Sequence, residues 1–208
     1  MRCFMIKNVV TSIILYSGTA VDLLIILMLF FAKRKSRKDI INIYLGQFLG
    51  SVSLILLSLF FAFVLDYIPS KEVLGLLGLI PIFLGLKVLL LGDSDGEAIA
   101  KEGLSKDNKN LIFLVAMITF ASCGADNIGV FVPYFTTLNL ANLIVALLTF
   151  LVMICLLVFS AQKLAQVPSV EETLEKYSRW FIAVVYLGLG IYILIENNSF
   201  DMLWTVLD

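Results

Sequence analysis

Hydrophobic residues run through this chain in blocks of roughly twenty, too long for a strand and too continuous for a helix that keeps one face in water. Six such blocks lie near residues 9–31, 40–65, 73–91, 111–135, 140–161 and 180–195. A helix rises about 1.5 Å per residue and must cross about 30 Å of hydrocarbon, so each block predicts one membrane-spanning helix. The stretches between them, AKRKSRKD, DYIPSKE, GDSDGEAIAKEGLSKDNKN, TTLNLAN and QKLAQVPSVEETLEKYSR, carry charge or helix breakers. The fourth is the least polar, so the boundary between blocks four and five has the least contrast. The first block is too long for a cleaved leader and no small-x-small cleavage pattern follows it, so it is read as a span.

That pattern sets the class. Of 208 residues 61% are hydrophobic, with a mean hydropathy of +1.02, whereas a soluble domain holds about 45–50% apolar residues even with glycine counted. The expected fold class is all-α integral membrane, six transmembrane helices with the lipid bilayer as solvent. Lys and Arg orient it. The breaks after blocks one, three and five hold eleven of them, against three (Arg2, Lys7 and Lys71) on the other side. The positive-inside rule then places both termini outside the cytoplasm and the linker 92–110 inside. The basic run KRKSRK at 33–38 directly follows an apolar block, so it is a topogenic anchor, and a net charge of −1 argues against a nucleic-acid partner. There is no histidine, which excludes imidazole chemistry, and Cys3, Cys123 and Cys155 have no metal-site or disulfide spacing.

The two halves resemble each other. SGTAVDLLIIL (17–27) set over ASCGADNIGVF (121–131) brings Asp22 onto Asp126 at an offset of 104, and FLGLKVLLL (83–91) set over YLGLGIYIL (186–194) aligns Leu-Gly-Leu at an offset of 103. Two anchors in one register predict two repeats, about 9–91 and 111–195, within a single membrane domain spanning 1–208. With three helices in each, the second must enter the membrane from the opposite side. Inverted repeats of this kind build transporters whose substrate site lies near the midplane.

Asp22 and Asp126 fall about halfway along blocks one and four, where an aspartate costs roughly 2.5–3.5 kcal/mol to insert. Lys87 is the one candidate counter-ion, and its stem could instead carry the charge to the cytoplasmic interface. The functional alternative is that both carboxylates face an internal cavity and bind a cation. Gly124, Gly129 and Pro133 around Asp126 allow helix four either to break, freeing carbonyls as ligands, or to approach a neighbour closely. Asn127 adds a neutral donor and acceptor, Cys123 lies one turn earlier, and Thr19 holds the matching place in the first repeat. A thiolate with carboxylates, hydroxyl and amide is a mixed soft and hard ligand set, suited to zinc-like or cadmium-like ions. Binding a divalent ion to such ligands releases protons, the chemistry a proton-coupled exchanger needs.

SGTAVDLLIIL, SCGADNIGVFVPYF and the length together resemble the cadmium resistance transporters of the CadD type, within the lysine-exporter superfamily of small exporters. The likeness covers essentially the whole chain, with Gly-x-Asp-Asn-x-Gly-Val-x-x-Pro its most specific stretch. It implies efflux of cadmium, with zinc as a second substrate, across a bacterial cell membrane, and no resident cofactor or enzymatic activity. It also implies Asp22, Asp126 and Asn127 as substrate-site residues; the ligand role of Cys123 rests on its chemistry. Exporters of manganese or a basic amino acid from the same superfamily remain open. A thiol oxidoreductase would need a second cysteine where Thr19 stands. Gly46 to Gly50 (GQFLG) is a small-xxx-small pattern that suits a second copy of the chain or a neighbour in the same one.

Overall fold

The computed structural model describes residues 2–33, 36–65, 75–91, 110–167 and 169–197, and the regular structure among them is entirely helical. In chain order the helices are α1 (Arg2–Thr19), α2 (Val21–Ala32), α3 (Arg37–Leu65), a 3-10 turn (Leu76–Gly78) running into α4 (Leu79–Leu91), α5 (Leu111–Thr136), α6 (Leu140–Leu164) and α7 (Ser169–Glu196). The charged linker, apart from Asn110, and the beginning of the third block fall outside the described residues.

Helix boundaries have local causes. Ser36 and Asp39 form a reciprocal capping box at the start of α3: the Ser36 N–H donates to the Asp39 carboxylate at 2.8 Å, and the Asp39 N–H to the Ser36 hydroxyl at 3.2 Å. The anchor run therefore also starts a helix. Asn110 accepts from the Phe113 N–H at 3.3 Å to cap α5, and Asn139 accepts from the Asn142 N–H at 3.0 Å to cap α6. Asn139 thus settles the low-contrast boundary, confining the turn between α5 and α6 to Thr137–Asn139.

Helices α3, α5, α6 and the Tyr177–Glu196 part of α7 are long and apolar enough to cross a membrane, and α1 with α2 supplies a fifth span if counted as one broken helix. The third block appears as a shorter apolar helix, Leu76–Leu90. Large apolar side chains such as Phe63, Phe83, Phe113, Leu140 and Val184 stand exposed around the outside. On a soluble protein such a surface would drive association; against lipid tails it is the expected one.

The helices pack chiefly in three pairs: α3 on α5, α4 on α7, and the broken pair α1 and α2 on α6. Gly46 and Gly50 set the first. A Cβ on Gly46 would lie 2.6 Å from the Ile112 carbonyl, and one on Gly50 would lie 2.8 Å from Thr119 Cβ. The small-xxx-small pattern is thus occupied by α5 of the same chain, and the sequence feature that suggested a second copy has a use inside the monomer.

The break lies elsewhere than expected. Helix α5 runs unbroken through Gly124, Gly129 and Pro133, whereas the first block bends by 56° between α1 and α2. Pro133 sits in the last turn of α5, where few further backbone bonds are at stake. Gly129 takes the close-approach alternative, since a Cβ there would meet Leu84 at 2.9 Å. In the first block Gly18 is pressed against Val185 of α7, and Thr19 turns its hydroxyl onto its own backbone, donating to the Tyr16 carbonyl at 3.1 Å. A side chain that satisfies a carbonyl in place of an N–H lets the helix stop there.

Candidate transport site

The bend places a polar surface in the middle of the bundle. Helix α2 starts at Val21, so Asp22 stands in its first turn, where the positive end of the helix dipole favours a carboxylate. Asp22 and Asp126 are both half-buried.

Above the break is a small cavity of about 10 Å³, room for the centre of roughly one water-sized guest. Its polar wall consists of Tyr16 and Thr19 from α1, Ser51 from α3 and Asn127 from α5; Leu54 and Phe131 are among its apolar neighbours. Helices α1 and α5 therefore meet here through Thr19 and Asn127.

The hydrogen bonds of this wall share a direction. Thr19 donates to the Tyr16 carbonyl at 3.1 Å, and Asn127 donates through Nδ2 to the Cys123 carbonyl at 2.8 Å. Each spends a donor on its own helix, leaving oxygen lone pairs of Thr19 and Asn127 for the space they line. A wall that offers acceptors attracts a cation and repels an anion.

The other sequence-predicted residues are not on the wall of this cavity. Cys123 is buried one turn before Asn127, its Sγ 3.4 Å from the Ser122 hydroxyl, and Ser122 itself donates to the Ile118 carbonyl at 2.6 Å. Gly124 is buried, with ordinary contact to Leu54 at 3.5 Å from an added Cβ. Lys87 is exposed on α4. Among the described residues no group of three or more His, Cys, Asp or Glu is close enough to hold a metal ion in this conformation.

Sequence reasoning missed Tyr16, Ser51 and the residues behind them. Gln47 and Ser51 are polar residues in the middle of an apolar block, a signal that by itself marks a functional candidate. Their register against α5 could not be read from one helix alone.

The profile of the cadmium resistance transporter family matches residues 16–206. This chain belongs to that family. Comparison with curated proteins and with solved structures gives no match. The matched region starts at Tyr16, the first polar residue of the cavity wall, and takes in every other residue of that wall. A cadmium resistance transporter with several apolar helices is a multi-pass membrane protein, and its transport residues should lie where those helices carry polar groups inside the bundle. In this chain polar residues of α1, α3 and α5 meet at the bend of α1 and α2.

Proposed function

We propose that this transporter exports divalent cadmium, with zinc as a second substrate, from the cytoplasm by proton-coupled alternating access. The observation that carries the reading is the direction of the hydrogen bonds around the central cavity: Thr19 commits its hydroxyl hydrogen and Asn127 one of its two amide hydrogens to backbone carbonyls, and both keep oxygen acceptors for the guest. Asp22 and Asp126 supply the charge that balances a divalent ion as the site closes around it, and Cys123 is a candidate soft ligand that would favour cadmium over a harder ion. When the ion leaves, protons replace it on the carboxylates, so the site stays near neutrality in both loading states. That exchange couples export to proton entry.

The architecture proposed is six spans in two inverted three-helix repeats, with Leu76–Leu90 as the core of the third span. The packing supports it. Exchanging the first block with the fourth, the second with the fifth and the third with the sixth turns the α3–α5 pair into the pairing of α1 and α2 with α6, and leaves α4–α7 unchanged. The chief helix pairs therefore map onto themselves, as a two-fold axis in the membrane plane requires. With the positive-inside rule this puts both termini on the extracytoplasmic face of a bacterial cell membrane.

A basic amino acid is the second reading, because two carboxylates also suit an ammonium group. The cavity favours the ion, since about 10 Å³ admits a single small guest and not an alkyl chain. Purified protein in vesicles with an imposed pH gradient tests both. Cadmium movement that depends on the gradient, competes with zinc and ignores lysine is expected; lysine movement without cadmium movement would reverse the assignment.

A further inference from the structure

Behind Ser51 lies a buried chain of hydrogen bonds that crosses from α5 to α3 and ends at the cavity wall. The Thr119 hydroxyl donates to Gln47 Oε1 at 2.7 Å, and Gln47 Nε2 donates to the Ser51 hydroxyl oxygen at 2.7 Å. Gln47, Thr119, Ser51 and Tyr16 are all at least nineteen-twentieths buried, at 0%, 1%, 5% and 4% exposure. Only Ser51 and Tyr16 reach the cavity.

The chain has one direction. A serine hydroxyl has one hydrogen and two lone pairs. Gln47 fills one lone pair, and the other remains on the oxygen that borders the cavity. Thr119 keeps the Gln47 amide turned so that its nitrogen, not its oxygen, meets Ser51. Joining α3 to α5 requires only the Gln47–Thr119 bond, and Gly46 and Gly50 already seat those helices closely. The continuation through Ser51 to the cavity is therefore available for the guest.

We infer that Ser51 is a substrate-contacting residue, supplying a neutral oxygen from α3 to the transported divalent cation, and that Gln47 and Thr119 are positioning residues that orient its hydroxyl. The inference rests on the cation reading above. It adds a third element, the second helix of the first repeat, to a site otherwise built from the first helix of each. A Gln47 amide does not pass protons as a hydroxyl does, so the chain orients the site rather than feeding it protons.

The test is cadmium uptake by vesicles containing wild type, Ser51→Ala, Ser51→Thr, Gln47→Met and the Ser51→Ala/Gln47→Met double variant. Ser58→Ala is the control, because Ser58 is fully buried on α3, its hydroxyl has no partner among the described residues, and it is not on the cavity wall. Ser51→Ala should raise the cadmium KM about tenfold, equivalent to about 1.4 kcal/mol, while Ser51→Thr, which keeps the hydroxyl, should stay within about threefold. Gln47→Met should also raise KM, and the double variant should be no worse than Ser51→Ala, since Gln47 acts through Ser51. Detergent melting points should match that of Ser58→Ala. A KM in Ser51→Ala equal to that of Ser58→Ala, equal losses in Ser51→Ala and Ser51→Thr, or additive losses in the double variant would each overturn the inference while leaving the cation reading intact. Absence of cadmium uptake by wild type would defeat the functional reading and this inference with it.

Discussion

An ionised carboxylate inside a bilayer needs a compensating charge, and Asp22 and Asp126 each stand on a helix that lines the central cavity. Replacing either with asparagine keeps the shape and removes the charge. We expect Asp22→Asn and Asp126→Asn each to lower cadmium transport at least about a hundredfold, because a divalent ion facing one carboxylate in low dielectric is undercompensated by several kcal/mol. Vesicle uptake measures it, and wild-type rates in both variants would remove the aspartates from the mechanism. Cys123 decides whether the site is soft. Cys123→Ser retains the size but replaces a polarisable sulfur with a harder hydroxyl oxygen. Competitive transport of cadmium against manganese should shift toward manganese in the variant; an unchanged ratio would make Cys123 a packing residue whose carbonyl serves Asn127.

At the scale of the helix, close approach has been placed with selectivity. Gly46 meets the backbone of α5, so Gly46→Leu should force α3 and α5 apart and cost about 1–3 kcal/mol, lowering the melting point in detergent. Gly188, for which an added Cβ meets nothing within 4 Å, should accept alanine with no loss. Equal melting points for the two variants would mean that the α3–α5 contact does not hold the bundle together. These helices also show what can be read without a structure. Uninterrupted apolar runs predict helices because a buried backbone must bond within itself, and α3, α5 and α6 lie close to the predicted blocks. The break was legible only as a question. Pro133 and its neighbouring glycines gave the stronger local signal, yet the bend came at Thr19, where the contact of Gly18 with Val185 and a hydroxyl-to-carbonyl bond combine. A contact more than a hundred residues away in sequence leaves no local trace. For the same reason the repeat alignment set Thr19 opposite Cys123, whereas the wall brings Thr19 beside Asn127, and the places of Tyr16, Ser51, Gln47 and Thr119 depend on how three helices are rotated against one another.

On the proposed topology and alternating-access cycle, the route from the central cavity to the outer face must open, and in this conformation an aromatic layer lies across it. Tyr16, Phe131, Phe135 and Phe150 stack over the cavity, with Phe131 and Phe150 centroids 4.8 Å apart and Tyr16 and Phe150 5.4 Å apart. Beyond them lies a second, polar cavity of about 130 Å³ among Lys7, Asn8, Tyr134, Asn142 and Glu196. Hydrogen bonds tie its walls together. Tyr134 donates to Asn8 Oδ1 at 2.6 Å, so the Ser12 hydroxyl 2.8 Å away is the donor to Tyr134, and Asn8 Nδ2 reaches the Asn142 carbonyl at 2.7 Å. This network links α1, α5 and α6 at the end opposite the charged linker, and Tyr134 is its centre. Tyr134→Phe removes two of these bonds while keeping the ring, leaving Asn8 Oδ1 short of a donor in the closed state but free to meet water in the open one. A change of about 1–2 kcal/mol should therefore raise the outward-open population about fivefold to thirtyfold. The measurement is labelling of Ser51→Cys, on the cavity wall, by a membrane-impermeant thiol reagent added from outside, in a chain whose Cys3, Cys123 and Cys155 are alanine. Tyr134→Phe should accelerate that labelling, and Asn8→Ala should do the same, because both act on one latch. If neither variant changes the rate, the polar network does not hold the outer face closed, and the aromatic stack alone must form the barrier that a departing cation crosses.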